Sequence, residues 1–255
     1  MLAIENISAG YGAKTIIGGV SFTVYAGEFC ALLGLNGSGK TTLLKALCGL
    51  LPLRSGSYTV NGADCVRLGE KARARHISYI PQRHSKLLGV RVLDAVMMGL
   101  YSKLGALEFP TPSDRQTAQS ALEKIGMAHL AREDFSRLSE GQKQMVILAR
   151  TLVQDTPVML MDEPDSALDF INRRKMLSTV RGLIHTEGKA GLVTLHDPGL
   201  ALEYCDHLVL IHDGGVIADL HLVDMGREAI AACLSRIYGN ITLFEHGGRY
   251  VVLGD

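Results

Sequence analysis

The stretch Gly34-Leu35-Asn36-Gly37-Ser38-Gly39-Lys40-Thr41 follows the apolar run Glu28–Leu33 and precedes Leu43, Leu44 and Leu47, spaced along one helix face. It is a complete G-x-x-x-x-G-K-[ST] pattern placed where that pattern has physical meaning, between a buried strand and a helix. Glycines let successive backbone N–H groups turn inward around an anion, and the helix start adds its partial positive charge. Lys40 is expected to bridge the β- and γ-phosphates of a nucleoside triphosphate, and the Thr41 hydroxyl to ligate Mg²⁺. A plain glycine-rich turn before a helix is the competing reading, and the complete match in this context disfavours it. The helix should stop at Gly49 and Pro52.

Working outward, Leu2-Ala3-Ile4, Val20–Val24 and Gly56–Gly62 read as strands. From about residue 84 to 154 the β-branched runs disappear. Leu93, Val96 and Met97, then Ala118, Ala121, Leu122 and Ile125, take helical spacing, with Glu108–Ser113 an exposed linker. From Pro157 the alternation of strand and helix returns: Val158–Met161 strand, Asn172–His185 helix, Leu192–Leu195 and His207–His212 strands. Ile241–Leu253 reads as a hairpin around Gly247-Gly248. The expected fold is α/β: one nucleotide-binding domain over 1–255 with helices inserted at about 84–154 and a hairpin at about 237–255.

Composition excludes other classes. The 255 residues carry 26 Lys+Arg against 26 Asp+Glu, so no basic surface for general nucleic-acid binding is expected. Hydrophobic residues at 47 % and charged residues at 20 % exclude a disordered chain. No stretch approaches the roughly 18 apolar residues of a membrane span, and the amino-terminal stretch does not read as a signal peptide, so a cytoplasmic protein is expected. Trp is absent, which disfavours a stacking platform for single strands. The five cysteines form no CxxC and read as reduced thiols. His207 and His212, five apart on a strand, should face opposite ways and are not expected to be metal ligands.

Two further motifs carry chemistry. Val158-Met159-Leu160-Met161-Asp162-Glu163 delivers two carboxylates at the carboxyl end of a buried strand, where α/β sheets bind ligands. Asp162 could hold Mg²⁺ through its water shell, and Glu163, directed oppositely by strand alternation, could polarise an attacking water. Leu138-Ser139-Glu140-Gly141-Gln142 opens a helix. Ser139 with Gln142 is a capping box, and a helix start with serine and glycine is also a phosphate site.

Lying between the phosphate loop and the strand carboxylates, that pentapeptide resembles the signature motif of the ATP-binding-cassette (ABC) ATPases. Tyr11 sits where the family stacks an aromatic ring on adenine, although alone it reads as a turn tyrosine. Gln82, in Tyr79-Ile80-Pro81-Gln82, matches the Q-loop glutamine that reaches Mg²⁺ and the attacking water. Ser166-Ala167-Leu168-Asp169 matches the D-loop, and His196 the switch histidine that contacts the γ-phosphate. Seven ordered matches span Tyr11 to His196. The resemblance implies ATP held by Tyr11, Gly34, Asn36, Gly37, Ser38, Gly39, Lys40, Thr41 and Thr42, with Ser139, Glu140, Gly141, Gln142 and Asp169 completing the site. It implies Mg²⁺ at Thr41, Gln82 and Asp162, and catalysis by Glu163, His196 and Gln82. It also implies a head-to-tail homodimer in which Ser139 and Gly141 contact ATP held by the partner copy.

Three positions depart from the family pattern. Leu35 replaces the usual proline, Glu140 the commoner first glycine of the signature, and Asp165 adds a negative charge near the site. With no span in the chain, a transporter reading requires separate transmembrane permease subunits docked near Arg83–Tyr101. Val92–Tyr101, Pro112-Ser113-Asp114-Arg115 and Ile237-Tyr238-Gly239 resemble the iron-siderophore, haem and cobalamin uptake branch. That branch implies an ATPase powering an importer, peripheral on the cytoplasmic membrane face and served by an extracytoplasmic substrate-binding protein. The alternatives are a soluble ABC ATPase of iron–sulfur cluster assembly and the ATPase of another importer or exporter. A P-loop kinase or GTPase would leave the signature unexplained.

Overall fold

The architecture follows from where apolar runs can be buried on both faces. The computed structural model describes residues 1–82, 87–105, 107–166, 168–247 and 249–254. Strands β1 (Leu2–Tyr11) and β2 (Lys14–Val24) pair antiparallel, and β4 (Leu53–Val60) and β5 (Ala63–Asp64) extend them into a four-stranded sheet ordered β2-β1-β4-β5. The apolar segments expected at Leu2–Ile4 and Val20–Val24 are the buried ends of much longer strands. Cross-strand pairing carries β1 and β2 through exposed polar positions such as Glu5, opposite Ser57, and Lys14, opposite Tyr11, which apolar periodicity does not mark.

The second sheet has six strands ordered β10-β9-β3-β8-β7-β6. Its members are β3 (Phe29–Leu33), β6 (Ile77–Ile80), β7 (Val158–Asp162), β8 (Ala190–Thr194), β9 (His207–His212) and β10 (Gly215–His221). All neighbours run parallel except β10, which turns back along β9. Strand β3 shows why its sequence is uninterrupted by polar residues. Phe29, Ala31 and Leu33 face one core, with β7, helix and loop residues, while Cys30 and Leu32 face a second core shared with the antiparallel sheet.

Helix α1 (Lys40–Leu47) buries Leu43, Leu44 and Leu47 in that second core. A short α2 (Glu70–Arg73) follows. Between β6 and β7 the chain forms α3 (Val92–Met97), α4 (Pro112–Lys124) and α5 (Glu140–Gln154), with 3-10 turns between them. Thr111 caps α4 in a full capping box with Asp114, so the expected linker ends inside the first turn of that helix. Helices α6 (Phe170–Glu187), α7 (Pro198–Tyr204) and α8 (Arg227–Tyr238) complete the helical layer. The expected hairpin is β11 (Ile241–His246) with β12 (Arg249–Gly254), in register from Ile241↔Gly254 to His246↔Arg249. Gly248 of its expected turn lies outside the described residues, as do the first positions of the expected helical insertion, residues 84–86. Among the described residues no helix is long and apolar enough to cross a membrane. The cysteines are free thiols, and Cys30, Cys65 and Cys205 are buried.

Candidate functional site

The carboxyl ends of β3, β7 and β8 lie side by side, and the loops that leave them form one site. Gly34–Gly39 connects β3 to α1 and tolerates no side chain at two of its glycines. A β carbon on Gly34 would lie 2.3 Å from the Ile211 carbonyl oxygen. One on Gly39, the N-cap of α1 at φ 105°, would lie 2.4 Å from Ile17 Cγ2. Inside this loop the buried Lys40 ammonium donates to the carbonyls of Gly34 at 2.8 Å and Leu35 at 3.1 Å. Burial lowers its pKa, and the charges of Glu163 and Asp162 oppose that shift. Ser38 Oγ is buried with no hydrogen-bond partner. An orphaned hydroxyl beside a buried cation in a glycine-lined loop fits a phosphate group, which accepts hydrogen bonds through every oxygen. Tyr11, Asn36, Gly37, Gly39, Lys40, Thr41, Thr42 and Glu163 line a cleft of about 260 Å³ together with Ile16.

Asp162, the last residue of β7, is the hub of a polar network at the cleft floor. Its Oδ1 accepts from Thr41 Oγ1 and Thr194 Oγ1, each at 3.0 Å, and its Oδ2 accepts from the Tyr79 hydroxyl at 3.3 Å. The register places Asp162 directly opposite Thr194, the last residue of β8. Burial first, and the Asp162 charge second, hold the Tyr79 phenol far above its usual pKa, so it remains a donor.

Glu163 leaves the strand. Its backbone takes φ 46°, in the left-handed region, and its N–H donates to Thr194 Oγ1 at 2.8 Å. Strand alternation therefore does not aim its side chain, contrary to the sequence expectation; a locally strained turn does. That turn brings Glu163 Oε1 within 2.6 Å of His196 Nε2 and places Oε2 against Gln82 Nε2 in a hydrogen bond. Glu163, His196 and Gln82 are thus brought together.

The signature residues sit apart from the cleft-lining set. Ser139 caps α5, accepting from Gln142 N at 3.3 Å, while its own N–H donates to Gln142 Oε1 at 3.0 Å. Glu140 pairs with Lys143 at 2.7 Å. A β carbon at Gly141 would lie 3.1 Å from Leu168 Cδ2. The expected D-loop joins Glu163 to α6, and its Asp169 caps that helix by accepting from Asn172 N at 2.8 Å; Ala167 lies outside the described residues.

The departure at Asp165 has a partner. Its buried carboxylate lies 3.4 Å from Arg173 Nε. Burial raises its pKa, and Arg173 works against that rise. Arg173→Ala is expected to leave the carboxylate uncompensated and to destabilise the fold by about 1–3 kcal/mol. Because the folded-state pKa is already raised and would rise further, the loss is largest above that pKa and fades as pH falls through it. Melting temperatures of variant and parent at pH 8 and pH 5 check this: the gap should be wider at pH 8.

Four contributors escaped the motif reading: Thr194 and Tyr79, which hold Asp162, Arg173, which pairs Asp165, and Ile16, which lines the cleft. Thr194 was visible only as the residue two before His196, and the β7–β8 register supplies its role. His207 is buried and His212, at the end of β9, is exposed; the sheet register gathers Glu28 and His221 around His207, a grouping that the spacing of His207 and His212 does not reveal.

A largely parallel sheet with a glycine-lined phosphate loop, a buried lysine and a carboxylate at the end of a strand one removed from that loop's strand defines a P-loop nucleoside-triphosphatase. Residues 17–166 match the family model described as ABC transporter. A probable iron chelatin transport ATP-binding protein of Helicobacter pylori is 37 % identical over 214 residues, 84 % of each chain. A hemin import ATP-binding protein of Bordetella pertussis is 37 % identical over 225 residues, 85 % of each. Among solved structures, one described as an inward-facing metal-chelate type ABC transporter superposes with a TM-score of 0.82 at 25 % identity, covering 98 % of this chain and 95 % of that one. A dimeric bacterial ABC transporter cassette gives 0.77 at 25 % identity, covering 87 % and 99 %. The chain belongs to the ABC transporter family as an ATP-binding, ATP-hydrolysing cassette.

Proposed function

We propose that two copies of this chain close head to tail on two ATP molecules and drive uptake of an iron chelate or haem through separate transmembrane permease subunits. The observation that carries the ATPase half is the convergence of Gln82 and His196 on Glu163, beside the cleft that holds Lys40. In this reading Lys40, the loop N–H groups and Ser38 Oγ bind the β- and γ-phosphates, and Tyr11 packs on the base. Glu163 takes the proton of the attacking water, while Gln82 and His196 hold that carboxylate in place and contact the water and γ-phosphate. Thr41, Asp162 and Gln82 offer hydroxyl, carboxylate and amide oxygens, the hard donors that suit Mg²⁺. Bound there, Mg²⁺ would neutralise phosphate charge. The partner copy presents Ser139, Glu140, Gly141 and Gln142, with Asp169 at the edge of the closed interface. ATP binding then favours the closed dimer, and hydrolysis reopens it.

The transported class is supported by the relatives, named for iron chelatin and hemin transport, and by the metal-chelate type structural neighbour. The reading places the chain at the cytoplasmic membrane face, as one domain with its helical insertion toward the permease, and an extracytoplasmic binding protein delivers substrate. The test is to solubilise the native complex in mild detergent and identify what co-purifies. A polytopic membrane subunit, with ATPase stimulated by the cognate binding protein loaded with iron chelate or haem, is the expected result. Recovery with a soluble scaffold and no membrane subunit would overturn the transport reading.

A further inference from the structure

The amino-terminal edge of the large sheet carries a second cluster, remote from the ATP cleft. Glu28 immediately precedes β3, His207 opens β9, and His221 closes β10. The phosphate loop leaves the other end of β3, five residues away, or about 16 Å at ~3.3 Å per residue. The antiparallel register pairs His207 with His221, and their rings stack with centroids 4.1 Å apart. Glu28 Oε1 lies 2.8 Å from His221 Nδ1 and 3.6 Å from His207 Nδ1. One ligand atom from each residue lies within 4.8 Å of the other two.

The His207 side chain is fully buried, and its Nε2 is hydrogen-bonded to the Asp219 carboxylate. A carboxylate only accepts, so in the neutral ring Nε2 carries the proton and Nδ1 presents a lone pair. That Nδ1 is orphaned, and it faces another acceptor, Glu28 Oε1, across a gap too long for a hydrogen bond. Two opposed lone pairs in a buried place call for a cation between them, a proton or a metal ion.

We propose that Glu28, His207 and His221 bind a divalent transition-metal ion of the zinc class, with Asp219 as the residue that orients His207. Two imidazoles and one carboxylate form a zinc donor set that leaves one position open. A carboxylate behind a ligating histidine is the usual device that fixes its tautomer. Tetrahedral bonds of about 2.0–2.1 Å place ligand atoms about 3.3 Å apart. The separations of 2.8 and 3.6 Å from Glu28 Oε1 bracket that value, and because the two imidazoles stack at 21°, one ring must turn about its side-chain bonds for both lone pairs to meet the ion. Glu28 and His221 also line a cavity of about 370 Å³, together with Cys205, Asp206 and Arg249, which gives the cluster a route to water. Nitrogen donors disfavour Mg²⁺ and Ca²⁺, which take oxygen. The ion would tie three chain segments together, so binding should stabilise the folded state.

The test uses the full, tag-free chain, stripped with chelator and free of nucleotide, titrated with Zn²⁺ by calorimetry and followed by thermal melting. One equivalent per chain and a raised melting temperature are expected. His221→Ala and Glu28→Gln should abolish saturable binding while ATP binding stays at the parent level, which shows that the variants are folded. Asp219→Asn should weaken Zn²⁺ binding about 10- to 100-fold, and Asp162→Asn should leave it unchanged. No saturable binding by the parent, or binding kept in His221→Ala and lost in Asp162→Asn, would overturn the proposal.

Discussion

Glu163→Gln is expected to lower steady-state ATP turnover by about 10²- to 10⁴-fold while nucleotide binding stays near the parent level. The substitution keeps the size of the side chain and can still hydrogen-bond His196 and Gln82, so the geometry around Oε1 and Oε2 should persist. What it removes is proton affinity at the atom proposed to activate water. ATP should then remain bound long enough for the closed dimer to accumulate. Size-exclusion chromatography with ATP and a coupled phosphate-release assay read the two effects separately. A variant hydrolysing at the parent rate would remove Glu163 from the role of base.

Lys40→Ala is expected to weaken ATP binding about 100-fold or more. A hydrogen bond to a charged group contributes roughly 1.5–3 kcal/mol, and a lysine serving two phosphates in a half-enclosed cleft loses both contacts at once. A combined loss of about 3 kcal/mol is about two decades in dissociation constant. The variant should fold, because the lysine's partners are carbonyls of its own loop. Titration with a fluorescent ATP analogue, alongside thermal melting without nucleotide, distinguishes lost binding from lost fold. Unchanged affinity would place the phosphates elsewhere.

The phosphate loop, the carboxylate-ending strand and the helix opened by Ser139 were legible because each is local: its chemistry and its geometry lie within about ten consecutive residues. The full lengths of β1 and β2 were not, since they are carried by cross-strand pairing through polar residues such as Glu5, which pairs with Ser57 of β4, and Lys14, which pairs with Tyr11. The aim of Glu163 was misread because one residue in a left-handed conformation replaces the strand alternation that the sequence suggests. Thr194 meets Asp162 through the β7–β8 register, and His207 meets His221 through the β9–β10 register. Neither register can be counted from spacing along the chain.

The tight seat of Gly141 against Leu168 has a mechanical meaning. Gly141 sits in the first turn of α5, the element proposed to touch the nucleotide of the opposite protomer. Leu168 belongs to the segment that runs from Glu163 to the start of α6. The start of α5 and the segment leading into α6 therefore meet with little room to spare, and in the proposed dimer these two parts of one chain would serve different ATP molecules. A larger side chain at 141 would have to displace Leu168 by a few tenths of an ångström, so in the proposed dimer a change at one nucleotide's contact would be felt beside the other's.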